Sequence, residues 1–200
     1  MIGVIAQKSE MSQLTIDNGD VVGVTWLAVP TNVVVQVKTP DKDGYTAIQL
    51  GAGEPKRQSK ARAGHLQNLE AKLLREITVA NPDSYHQGDK VDVSVFQVGD
   101  RVMVTGISKG KGFAGTIKRH HFKSGPGSHG HDHHRQPGSI GAMGIARVLP
   151  GRRMAGHMGA ERVTAKNLQI VYIDVPNQRL AIEGSVPGAN KAWVLVRKNA

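Results

Sequence analysis

Apolar positions along this chain change their period from one stretch to the next, and each change marks a different kind of segment. Between residues 20 and 50 they form three β-branched or aromatic runs: Val21-Val22-Gly23-Val24-Thr25-Trp26, Asn32-Val33-Val34-Val35-Gln36-Val37 and Tyr45-Thr46-Ala47-Ile48-Gln49-Leu50. Pro30 and the Pro40–Gly44 turn separate them, so three short strands are predicted. After Pro55 the spacing lengthens. Leu66, Leu69, Leu73 and Ile77 recur as they would on one face of a helix, which predicts an amphipathic helical insertion near 59–78.

An internal echo follows. Gly88-Asp89-Lys90-Val91-Asp92-Val93 is repeated in form by Gly99-Asp100-Arg101-Val102-Met103-Val104. Gly-Asp suits a turn, and the alternating valines suit a half-buried strand after it. Near the C-terminus, Leu168–Val175 and Arg179–Glu183 predict a hairpin around Pro176-Asn177, and Ala192–Arg197 predicts a closing strand. Short strands at such intervals favour a small barrel over a parallel sheet.

From about 106 to 160 neither period is present. Ser124-Gly125-Pro126-Gly127-Ser128 and Gln136-Pro137-Gly138-Ser139 break any regular element, and little there is large and apolar. Such a segment cannot offset its own ordering entropy in water. It stays mobile or folds against something else.

Charge identifies what that something is. The 200-residue chain has a formal net charge of +10, from 26 Lys and Arg against 16 Asp and Glu. Between Arg101 and Ala160 lie ten of those basic residues and a single acid, Asp132, so this window holds +9 of the +10. It also contains seven of the nine histidines and thirteen of the 24 glycines. The rest of the chain is close to neutral, as an ordinary folded domain is. A basic, glycine-rich segment without a core points to a polyanion, which would supply both counter-charge and packing surface. Cysteine is absent, which excludes disulfides, thiolate metal sites and cysteine nucleophiles. No stretch approaches the roughly 18 apolar residues of a membrane span, and Met1–Lys8 lacks the character of a signal peptide. A cytoplasmic-type protein is expected, with no membrane partner.

Three motifs in the basic window invite other readings. Gly110-Lys111-Gly112-Phe113-Ala114-Gly115 matches G-x-G-x-x-G, but a dinucleotide fold needs a helix and an acid about 20 residues on. Thr116-Ile117-Lys118-Arg119-His120-His121 and a Gly/Pro loop follow instead. The P-loop spacing also fails by one residue. Glycines that let the backbone approach phosphates, with Lys109 and Lys111 neutralising them, give the simpler account. His129-Gly130-His131-Asp132-His133-His134 imitates a metal site, yet structural sites draw ligands from separated elements with a closed outer shell. Imidazoles contacting phosphates, 2′-hydroxyls or bases are favoured, and no metal or cofactor is expected. A His–Asp general base would need a second carboxylate or a rigid cleft, so no catalytic residues are expected. Arg152-Arg153, beside Gly151 and Gly156, suits bidentate phosphate contact.

With these residues in view, a family resemblance emerges. Phe96-Gln97-Val98-Gly99-Asp100-Arg101-Val102-Met103-Val104-Thr105-Gly106-Ile107-Ser108-Lys109-Gly110-Lys111-Gly112-Phe113-Ala114-Gly115-Thr116-Ile117-Lys118-Arg119 resembles the signature of the L-three family of large-subunit ribosomal proteins, of bacterial type. Gly127–Gly130, Pro137–Gly141, Gly151–Gly159, Glu161–Thr164 and Gly184–Ala189 continue the match, so that it covers most of 85–197.

The resemblance implies a mainly β fold: a small translation-protein-type β-barrel, a long irregular basic extension and one or two short helices. Residues 1–119 would begin the barrel and include the helical insertion, 120–160 would form an RNA-threading loop, and 161–200 would complete the barrel. It implies binding to large-subunit (23S) ribosomal RNA, a role in early subunit assembly, neighbouring large-subunit proteins as partners, no DNA, and a cytoplasmic, ribosome-bound location. The loop tip, Gly138, Ser139, Ile140, Gly141, Ala142 and Met143, would lie near the peptidyl transferase centre. Charge and resemblance together give the expected RNA contacts. They are Lys109, Lys111, Lys118, Arg119, His120, His121, Lys123, His129, His131, His133, His134, Arg135, Arg147, Arg152, Arg153, His157, Arg162 and Lys166.

The chain departs from the family in three places. Ala6-Gln7-Lys8-Ser9-Glu10-Met11-Ser12 replaces two glycines of the usual opening, so a different first turn is expected. Ala142 stands where some members carry a methylated glutamine, which rules out that modification there. The His131–His134 run is richer in histidine than is common. Two rivals remain. One is a free-standing RNA-binding barrel; the other is a metal-dependent enzyme centred on His129–His134.

Overall fold

A computed structural model describes residues 3–16, 18–67 and 69–199. The chain divides into two compact units, one formed by residues 1–108 and 162–200 and the other by Lys109–Glu161.

The larger unit holds a closed antiparallel barrel. Its strands are β1 (Gly3–Thr15), β2 (Val21–Ala28), β7 (Arg101–Ile107), β10 (Arg162–Asp174), β11 (Arg179–Glu183) and β12 (Trp193–Lys198), in the order β1-β12-β7-β10-β11-β2. Closure leaves no barrel edge unpaired, which removes the template for edge-to-edge aggregation. Alternation along each strand sends Ile5, Leu27, Val102, Val104, Leu180, Ile182 and Val196 into a fully buried interior. Burying each such side chain is worth about 1.5–3 kcal/mol. The second half of the valine echo is β7 itself, and the hairpin and closing strand lie where the sequence predicts them.

β1 is continuous through Ala6–Ser12, where a different first turn was expected. A bulge between Lys8 and Met11 absorbs the irregularity instead. Lys8 is buried there, and its Nζ donates to the carbonyls of Val186 (2.7 Å) and Gly188 (3.2 Å). A buried ammonium needs such acceptors, because an unpaired one costs several kcal/mol.

A four-stranded sheet packs on the same core, with order β5-β4-β3-β6. Its strands are β3 (Asn32–Lys38), β4 (Ala47–Ala52), β5 (Leu73–Thr78) and β6 (Lys90–Val91). Asn32 joins barrel to sheet. Its Oδ1 accepts from the Ile5 amide at 2.8 Å, and its Nδ2 donates to the carbonyls of Ile5 (3.1 Å) and Pro30 (2.8 Å).

The helix expected across 59–78 is corrected here. Helix α2 spans only Lys60–Leu66, with Ser59 as N-cap, and stops at Gln67 in a left-handed conformation. Leu73 and Ile77 lie instead on β5, paired with β4 from Ala47↔Thr78 to Ala52↔Leu73. The open edge of β4 offers a full ladder of backbone partners, and that outweighs the weak helical periodicity. Leu66 packs with Val35 and Ala71 in a small second cluster, made possible by Gly51: a Cβ there would lie 2.6 Å from that of Ala71.

The two copies of the echo share turn chemistry but not outcome. Asp89 accepts from the His86 amide and Asp100 from the Gln97 amide, at 2.6 and 2.9 Å. After the first, however, the strand lasts two residues and gives way to a 3-10 turn at Val93–Val95. Asp100 also pairs with Lys198 at 2.7 Å, and that ammonium holds its carboxyl below the usual carboxylate range. The other described α-helices are α1 (Pro40–Asp43) and α3 (Thr116–His120), so three short α-helices stand among the described residues of a mainly β fold, where one or two short helices were expected. None of them is long and apolar enough to cross a membrane.

Candidate nucleic-acid interface

The smaller unit, Lys109–Glu161, starts and ends in a narrow ribbon. β8 (Phe113–Ala114) pairs with β9 (Gly156–His157), and the Lys111 and Met158 amides extend the ladder, donating at 2.9 Å to Met158 and Gly112. Two glycines permit this neck. At Gly159, with φ +78°, a Cβ would collide with the Lys109 carbonyl. At Gly156 it would lie 2.6 Å from Arg119 Nη1. Thr116 and Ala114 are the buried residues of this unit, a very small core for 53 residues.

Beyond the neck come α3 and then irregular chain. The last turn of α3 carries Lys118, Arg119 and His120, and His121 caps it in a left-handed conformation. Lys118 and Arg119 in that place complement the helix dipole. α3 has five residues and no acid, so the glycine motif before it does not open a dinucleotide-binding helix.

Exposure separates the expected RNA contacts into two groups. Lys109, Lys111, Lys118, Lys123, Arg135, Arg147, Arg152 and Arg153 are exposed, as are His121, His129, His131, His133, His134 and His157. Arg162 and Lys166, on β10 of the larger unit, are exposed too. Arg119 and His120 are half-buried, and both contact the Met154 carbonyl, at 2.9 and 3.1 Å. Their place is in the neck, where they brace one limb against the other.

The histidines cluster without converging on a common point. The His131 ring lies 6.2 Å from that of His133 and 6.4 Å from that of His134. His133 Nδ1 meets Gln136 Oε1 at 2.7 Å, His134 Nδ1 meets the Pro126 carbonyl at 2.8 Å, and His131 Nδ1 accepts from the His133 amide at 3.1 Å. These ring nitrogens serve the loop's own shape. No group of three or more His, Cys, Asp or Glu among the described residues is arranged to hold a metal ion.

The segment expected to be the tip is held by one side chain. Arg152 donates to the Ser139 carbonyl, and Ser139 Oγ donates to the Gly141 carbonyl at 3.0 Å. Around it lie apolar residues that charge alone does not single out. Met143 is fully exposed, and Ile140, Ile145, Val148 and Leu149 are 41–52% exposed. Phe113, in the neck, is 80% exposed. Their only signal in the sequence is apolar character within a stretch that lacks any period.

The smaller unit is thus a cationic segment with a neck, almost no core and outward-facing apolar residues. Comparisons with known proteins show the chain's family. The model of the family Ribosomal protein L3 matches residues 75–179. The large ribosomal subunit protein uL3 of Pelotomaculum thermopropionicum is 46% identical over 99% of this chain and 97% of its own length. Those of Heliobacterium modesticaldum and Solibacter usitatus are 46% and 47% identical over 98% of this chain, and over 96% and 98% of their own lengths. The chain belongs to the ribosomal protein L3 family. It is a structural protein of ribonucleoprotein and translation, not an enzyme, and the metal-dependent rival falls with that.

Proposed function

We propose that this chain is a structural constituent of the large ribosomal subunit that binds large-subunit (23S) ribosomal RNA through residues 109–161, together with Arg162 and Lys166. The extension neutralises phosphates where RNA helices pack too closely to tolerate their own charge. In doing so it supports early subunit assembly, and residues 138–143 organise RNA near the peptidyl transferase centre. The barrel docks on folded RNA and on neighbouring large-subunit proteins, and the chain is cytoplasmic and ribosome-bound.

One observation carries this reading. Eight of the nine Lys and Arg between Lys109 and Glu161 are exposed, in a unit whose acids are Asp132 and Glu161 alone. A free-standing domain gains nothing from such self-repulsion, whereas a polyanion turns it into counterion release. The test is the partition of the C-terminally tagged protein across a sucrose gradient at about 0.5 M salt, where non-specific phosphate binding is largely lost. Recovery at one copy per large subunit is expected. Recovery at the top of the gradient would leave only the free-standing RNA-binding barrel.

A further inference from the structure

The larger unit holds a second constellation suited to RNA, assembled from strands far apart in sequence. β5, β7, β10 and β12 enclose a cleft of about 120 Å³. Leu73, Ile107 and Trp193 give it apolar walls, and Arg75 and Arg162 are the charged residues that line it. No carboxylate is among the lining residues. Glu76, next to Arg75, accepts from Tyr45 at 2.8 Å and pairs with Lys38 at 3.6 Å.

The aromatic wall is set in place before any ligand arrives. Trp193 is half-buried, and Gly53 (φ +75°) lies so close that a Cβ there would be 2.8 Å from the ring. Arg75 and Arg162 are both exposed. Arg75 Nη1 donates to the Leu74 carbonyl at 2.9 Å, which orients the guanidinium and leaves its other N–H groups available.

We propose that this cleft receives one unstacked nucleotide of single-stranded RNA, its base against Trp193 and its flanking phosphates on Arg75 and Arg162. The proposal rests on the RNA-binding reading above and adds a site outside the extension. An aromatic ring and two guanidiniums lining one cleft suit a nucleotide strand, in which a flat base lies between two phosphates. An acidic protein segment could satisfy the charges, but it offers no flat partner for the ring.

Trp26 is the other tryptophan, so W26F makes Trp193 the sole reporter in the full chain. This protein is titrated with an unstructured oligouridylate of about eight nucleotides, within the span that one small β-barrel typically covers. Saturable quenching of Trp193 is expected. R75Q with R162Q should raise the half-saturation concentration about tenfold, whereas K42Q with K90Q, exposed lysines of the same unit that do not line the cleft, should leave it within about twofold. Absence of quenching, or quenching unmoved by R75Q/R162Q, overturns the proposal. So does equal quenching by an oligoglutamate of the same charge, which would assign the cleft to protein. Both arginines are exposed, so unchanged thermal melting of the double variant is expected, and W193F, which keeps an aromatic face, should retain most of the affinity where W193A loses it. The gradient experiment is read separately. Large-subunit recovery with a silent Trp193 sinks only this cleft, while failure of recovery sinks the broader reading.

Discussion

The larger unit and the extension solve opposite problems. In the barrel, every strand turns an apolar side chain inward, and Asn32 and Lys8 have their polar atoms matched inside it. Between Lys109 and Glu161, two buried residues serve 53, and Met143 and Phe113 face outward. Burial drives the first structure from within. The second is shaped by a few hydrogen bonds at its neck and tip and awaits its surroundings for the rest. The lesson concerns where function resides: in a self-sufficient fold a conspicuous residue most often packs, whereas in a segment without a core it meets the partner.

Removing the extension breaks this comparison most severely if it is wrong. Replacing 120–160 with a short Gly-Ser linker should leave a cooperatively melting barrel yet lower incorporation into large subunits about tenfold or more, as measured on gradients. Normal incorporation would refute the division of labour. Loss of the barrel as well would show the units to be one.

Truncations sharpen the contrast in stability. L27A removes a fully buried barrel side chain and should cost about 3 kcal/mol in chemical denaturation. M143A, on the extension, should stay within about 0.5 kcal/mol. N32A strips three hydrogen bonds from the join between barrel and sheet and should cost about 2 kcal/mol.

Single cations in the extension should matter modestly and alike, since many share the load. K118Q is expected to reduce the slope of log affinity for ribosomal RNA against log salt by about 1. A collapse of binding would mean that Lys118 reads a specific feature.

The smallest expected effect lies in acid. Lys198 and the Gln97 amide stabilise the ionised Asp100, so its folded pKa lies below its unfolded one. That stabilisation is therefore present above the unfolded value of about 4 and is lost as pH falls through the folded value. D100N should flatten the decline of Tm on acidification, and an unchanged profile would remove the Asp100–Lys198 pair from the account.

Much of this was legible beforehand, for reasons that differ by region. Alternating valines at 102 and 104, the hairpin around Pro176-Asn177 and the closing strand at the C-terminus are local signals, and local signals survive folding when every level agrees with them. The cationic window was legible because charge and missing periodicity need no coordinates. Leu73 and Ile77 misled because their spacing fits a helix, while the strand edge that captures them is formed by residues 47–52. Arg119 and His120 read as RNA contacts, yet their contact with the Met154 carbonyl depends on a limb returning more than thirty residues later. Arg75, Arg162 and Trp193 carried no joint signal at all.

The sequence by itself thus determined that one stretch must build a β core and that another is basic and has no core of its own, because burial period and net charge are properties of composition and order. Only the tertiary structure decided that β1 runs on through its atypical opening by means of a bulge, that the helix expected across 59–78 stops at Leu66 and gives way to an edge strand, and that two arginines and one tryptophan line the same cleft. Those outcomes rest on partners supplied from elsewhere in the chain, and a backbone group takes whichever partner the completed fold brings within about 3 Å.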